Sequence, residues 1–169
     1  VAIALALAAA RTYPALLYDR AAILRGEAWR LLTASLVHAD AGHLLLNLAG
    51  LALVWLAFHP RLSALGWAAA SGSCALGATL GVLALDPGVR YLAGLSSVLH
   101  GLAAAGGVLE VRRRHALGWV FLAAVALKVA WDLTEGRDAV ATRSHLYGAV
   151  TGLAAGLVLR PSPARAAAP

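Results

Sequence analysis

The 169-residue chain has no methionine, a single cysteine and few charges, 13% of its residues. One cysteine, Cys74, excludes a disulfide framework and any cysteine-built zinc site, and its place in an apolar run suits packing. Scarce charge beside 61% hydrophobic residues and a mean hydropathy of +0.76 excludes two further classes. A soluble domain is roughly half apolar and about a quarter charged. A soluble chain this small could not bury so much apolar surface. Intrinsic disorder fails on the same apolar content. What remains is a polytopic membrane protein of one domain. The chain opens on Val1-Ala2-Ile3-Ala4-Leu5, so it is expected to start at an alternative codon or to lack upstream sequence. That opening lacks the basic region of a signal peptide and is expected to be a shortened first membrane span.

A helix crosses the hydrocarbon core with about 20 apolar residues. Six segments qualify: 1–18 (interrupted by Arg11 and Pro14), 43–59, 62–85, 95–111, 116–133 and 143–160. The apolar runs do not alternate with period two, so no β-barrel is expected. The expected fold is an all-α, six-transmembrane-helix bundle, one domain over 1–160 with a disordered tail over 161–169. Between the first two spans, Trp29, Leu31, Leu32, Leu36 and Val37 alternate with polar residues and suit a helix lying in the interface over 19–42. The net charge of +6 sits in short stretches between spans, which reads as loop charge rather than a nucleic-acid surface. Basic loops face the cytoplasm. That puts Arg112-Arg113-Arg114, Arg61, Arg160 and Arg165 inside, and Arg90, Arg137, Arg143, Asp86, Asp132, Glu135 and Asp138 outside. Arg20, Arg25 and Arg30 run against the rule.

Strongly polar groups inside spans are costly and mark function by default. His43, Asn47, Ser96, His100 and His145 gather near the outer ends of the second, fourth and sixth spans. His43 with Asn47, and Ser96 with His100, are four apart and share a helix face. Gly148, Gly152 and Gly156 continue the face of His145, and Ser97, Gly101 and Ala105 form a matching row on the fourth span. Small residues so spaced let membrane helices approach closely, which would bring Ser96 near His145. A serine becomes a nucleophile when a base within hydrogen-bond reach takes its proton, and a neutral imidazole can do so. Polar residues at the outer ends (Ser35, Asp40, Thr142, Arg143, Ser144) suit an aqueous cavity. A different class stays open: His38, His43, His100 and His145 could line a metal-transport path. No carboxylate is expected to join them within the spans, and no His-Glu-x-x-His is present, which speaks against a metalloprotease.

In order along the chain stand Trp29-Arg30, His38, His43-Leu-Leu-Leu-Asn47, Gly94-Leu95-Ser96-Ser97 and His145-Leu-Tyr-Gly148 with Gly152. This series resembles the rhomboid intramembrane serine proteases over about residues 26–157. The run from Gly94 to Gly101, Lys128-x-x-Trp131-Asp132 and the compact length are similar to the rhombosortase branch. The resemblance implies Ser96 as nucleophile and His145 as base, with no cofactor and no metal. It implies an oxyanion hole from the Ser96 amide, His43 and Asn47, with His100, Gly94 and Gly148 as support. His100 takes the place where many rhomboids have a tyrosine packed on the catalytic histidine. Implied substrates are exported bacterial proteins anchored by a C-terminal sorting tail: a Gly-rich motif, an apolar helix, then basic residues. The implied location is the bacterial inner membrane, with the site opening outward. Lys128, Trp131 and Asp132 are candidates for recognising the tail, and Lys128 and Asp132 are spaced to pair. The plainer role for that pair is a snorkelling lysine beside an interfacial carboxylate. Arg30 is expected to anchor its loop to headgroups or backbone carbonyls. Three positions depart from the family pattern: Ser97 for a glycine, Asp132 for a glutamate, and His59 for a glutamate. Ser97 leaves open a catalytically silent rhomboid-like protein that binds membrane clients.

Overall fold

In the computed structural model, residues 14–135 and 139–161 are described. Among them are seven helices: α1 (Arg20–Leu24), α2 (Arg30–Thr33), α3 (Ala41–Phe58), α4 (Ala64–Leu85), α5 (Ser96–Arg112), α6 (Ala116–Glu135) and α7 (Ala139–Val158). The helix starts are capped by side chains where the chain turns sharply. Asp40 accepts from the His43 amide at 2.8 Å, and Ser63 accepts from the Gly66 amide at 3.1 Å. Each satisfies one of the unpaired donors of a first turn.

By length and apolar composition, three of the described helices can cross a membrane: Ala41–Arg61, Ala64–Leu85 and Ala116–Thr134. The six crossings expected from hydropathy are therefore not all matched. The segments 95–111 and 143–160 do form α5 and α7. However, α5 has 17 residues and carries Glu110 and Arg112, while α7 carries the polar run Arg143-Ser144-His145 in its second turn. The expected span over 1–18 falls mostly outside the described residues. Its described end is a 3-10 turn, Pro14–Leu16, followed by a strand. That strand, β1 (Tyr18–Asp19), pairs antiparallel with β2 (Tyr91–Leu92), so the bundle is mostly rather than wholly helical. The interfacial segment 19–42 is not one helix either. Gly26, at φ +111°, ends α1, and the chain restarts in α2 and a 3-10 turn over Ala34–Leu36. Only glycine takes such a backbone without strain. The tail from 162 onward lies outside the described residues.

The loop before α3 is pinned from below. Arg30 is buried, forms an ion pair with Glu27, and donates to the Pro14 and Leu17 carbonyls at 2.7 and 2.8 Å. Of the two anchors expected for Arg30, it uses backbone carbonyls. At the far end of the bundle, buried Glu110 joins Arg61 and His115, and Arg112 donates to the carbonyls of Gly156 and Leu159. Arg61, Arg112 and Leu159 thus share one end, opposite the end that holds His43, Ser96 and His145. His59, the third departure, stacks on Trp55 with ring centroids 5.5 Å apart.

Helix α5 is the core of the molecule, buried on almost every side. Its contact with α7 is backbone on backbone. A Cβ at Gly148 would sit 2.1 Å from the Ser97 carbonyl oxygen, and one at Gly152 would sit 1.9 Å from that of Gly101. The glycine stripe therefore sets the distance between the two helices, as small residues do in membrane bundles. Cys74 fills the same seam beside Gly101 and belongs to the core cluster. Gly152→Val is expected to force the helices apart and destabilise the fold by about 3 kcal/mol, the upper end of the usual cost of overpacking. Thermal unfolding in detergent checks this, with Gly72→Ala as the control, since a Cβ there meets nothing within 4 Å.

Candidate active site

Ser96 is the first residue of α5, so its amide has no carbonyl partner within the helix. The positive end of the helix dipole lies there, where an anion is favoured. Its hydroxyl is 2.8 Å from His145 Nε2. The two come together because Gly148, one turn beyond His145, lets α7 rest on the Ser97 carbonyl. One residue along each helix, buried Ser97 donates to the hydroxyl of buried Ser144 at 2.8 Å. Ser97 thus has a definite place, tying α5 to α7 beside the site. The stretch of α7 around His145 is also held by buried Asp86, which pairs with Arg143 and accepts from the Tyr147 hydroxyl at 2.8 Å.

His100 stacks on His145, with centroids 4.3 Å apart and planes at 11°. Its Nδ1 is 2.7 Å from the Ser96 carbonyl oxygen, which fixes the ring one turn below the serine. The other nitrogen of His145, Nδ1, lies 3.1 Å from Asp132 Oδ2 on α6, and Asp132 also pairs with Lys128. This overturns the expectation that no carboxylate joins the histidines within the spans. The donor atoms of His100, Asp132 and His145 lie within 4.8 Å of one another, close enough for a metal ion. Here, though, both nitrogens of His145 and Nδ1 of His100 have hydrogen-bond partners. The four histidines considered as a transport path form two pairs instead. His38 meets His43 edge-on at 5.2 Å, and His100 stacks on His145. Burial, with His43 nearby, holds the pKa of His38 below its ordinary value.

In front of Ser96 opens a cavity of about 940 Å³, lined from α3 by His43 and Asn47, from the β2 loop by Tyr91 to Ala93, and from α6 by Phe121 and Lys128. Asn47 is buried, and its Nδ2 has no hydrogen-bond partner among the described residues. A buried amide donor without a partner is costly, and this one lines the same cavity as the Ser96 hydroxyl. Gly94, at φ +120°, carries the chain over this wall. A Cβ there would lie 2.7 Å from His43 Cε1 and would displace the ring. Of the residues expected to recognise a substrate tail, Lys128 lines the cavity and Trp131 is exposed on the outside of α6. Asp132 faces His145. Among the outer polar residues, Asp40 caps α3, and Ser35 and Ser144 are buried. The side chain of Thr142 lies outside the described residues.

The family model for the rhomboid domain matches residues 25–162. The chain belongs to the rhomboid family, a family of intramembrane serine proteases that also has inactive members. Comparison with curated proteins gives no match.

Proposed function

We propose that this protein is an active intramembrane serine endopeptidase that uses Ser96 as nucleophile and His145 as general base. The observation that carries the proposal is the 2.8 Å contact between Ser96 Oγ and His145 Nε2 on the wall of the cavity. Ser96 attacks the scissile carbonyl while His145 takes its proton. His145 then gives that proton to the leaving amine, and water releases the acyl group by the reverse path. The Ser96 amide, Asn47 and His43 hold the oxyanion, and the unpaired Asn47 amide supports that role. A donor placed in advance costs no reorganisation at the moment of reaction. Gly94, Gly148 and His100 act as support through the close approaches and the ring stack described above.

The substrate proposed is the C-terminal anchor of an exported bacterial protein, as in the rhombosortase branch: a Gly-rich motif, an apolar helix and a basic end. Support comes from the Lys128-x-x-Trp131-Asp132 stretch and from the cavity, whose walls are mostly apolar and include Lys128. The proposed setting is the inner membrane, with the site facing outward. Ser96 and His145 lie at the end of the bundle opposite Arg61 and Arg112, and the positive-inside rule puts those arginines in the cytoplasm.

The test is cleavage in proteoliposomes of a reporter protein ending in such a tail. The expected result is release of the reporter, cut near the Gly-rich motif. An intact reporter together with cleavage of an unrelated membrane anchor would reject the sorting-tail substrate while keeping the protease. Asn47→Ala is expected to lower kcat by about 10²–10³ with KM little changed, the usual loss for one oxyanion donor. Initial rates on the same reporter check it.

A further inference from the structure

The proposed dyad does not use the carboxylate that faces it. Asp132 reaches His145 from a third helix. His145 stands between Ser96, 2.8 Å from Nε2, and Asp132, 3.1 Å from Nδ1, while His100 covers one ring face. Asp132 in turn pairs with Lys128 one turn earlier on α6. The result is a linear chain of four groups, serine, imidazole, carboxylate and ammonium, drawn from α5, α7 and α6.

The chemistry of each link is directional. An ionised carboxylate only accepts hydrogen bonds. Placed at Nδ1, it keeps the neutral ring's proton there and leaves the Nε2 lone pair facing the serine. When His145 takes the Ser96 proton, the ring becomes positive and the carboxylate stabilises it without itself being protonated. Lys128 occupies one carboxylate oxygen and thereby orients the other toward His145. The groups facing His145 are Ser96 and His100 from α5 and Asp132 and Lys128 from α6.

We propose that Asp132 is a positioning residue for the reaction, completing a Ser96–His145–Asp132 triad, and that Lys128 orients Asp132. This rests on the protease reading above. It also assigns Asp132 a role other than binding the substrate tail.

The test measures kcat and KM separately on the reporter substrate in proteoliposomes. Asp132→Asn, which can present a donor to Nδ1 and favour the wrong tautomer, is expected to lower kcat by about 10²-fold with KM unchanged. That is less than the roughly 10⁴-fold seen for a fully buried triad aspartate, because this carboxylate keeps 17% of its side-chain surface exposed. Asp132→Glu restores most of the loss, and adding Asp132→Asn to His145→Gln costs nothing further. Lys128→Gln, which leaves the carboxylate in place, lowers kcat by up to about fivefold, the range of an exposed ion pair. It carries the test if Asp132→Asn does not fold. Wild-type kcat in folded Asp132→Asn, or a raised KM with kcat unchanged, overturns the triad while leaving the dyad standing. Wild-type protein that neither cleaves nor reacts with a serine-directed probe overturns the protease reading and this inference with it.

Discussion

Ser96→Ala is expected to lower turnover by about 10⁶-fold, to background, because removing one member of a nucleophile–base unit costs nearly as much as removing the whole unit. The fold should survive. Ser96 is half-buried at a helix start, and its side chain gives up one hydrogen bond, to His145, worth about 1 kcal/mol. The packing that holds the site lies elsewhere, in the glycine seam, the Ser97–Ser144 bond and the Asp86 anchor. Thermal unfolding within a few degrees of wild type, together with lost cleavage, separates chemistry from structure. A Ser96→Ala protein that still cleaves would place the nucleophile elsewhere.

The second large effect is His145→Gln. Glutamine can hydrogen-bond to the Ser96 hydroxyl but cannot take its proton at neutral pH. The expected loss is again about 10⁶-fold. The informative comparison is the double variant, Ser96→Ala with His145→Gln, which should be no worse than either alone because the two act as a unit. Additive losses in the reporter assay would mean that serine and histidine serve different steps.

The residues of this site differ in how far they could be read from the sequence. Ser96 and His145 stood out as polar groups in apolar runs, and the small-residue rows on their helices already implied that the two helices touch. Helical spacing places Asn47 with His43 on one face, and the structure puts both on the cavity wall. Asp132 is legible in the sequence as the partner of Lys128, but not as a partner of His145. Spacing pairs it with Lys128, but no spacing reports how α6 is rotated against α7, and that rotation decides that the carboxylate meets His145. Glu110 is harder to read from the sequence. Its one signal is a lone acid near the end of an apolar run, and its partners Arg61 and His115 come from the neighbouring turns. The break in 19–42 was legible in principle at Gly26, whereas two-residue strands leave no periodic trace at all. Length and apolar composition do not single out α5 and α7 as crossings because both are rich in small residues and carry polar ends. Those features suit close packing against each other rather than long contact with lipid.

The proposed mechanism requires that His145 activate Ser96 in the resting protein. It is tested most directly by labelling the detergent-solubilised chain with a fluorophosphonate, comparing wild type with Ser96→Ala and His145→Gln. The expected result is a labelled wild-type protein, with label absent from Ser96→Ala and nearly absent from His145→Gln. Folded wild-type protein that takes no label, or equal labelling of all three, would contradict it.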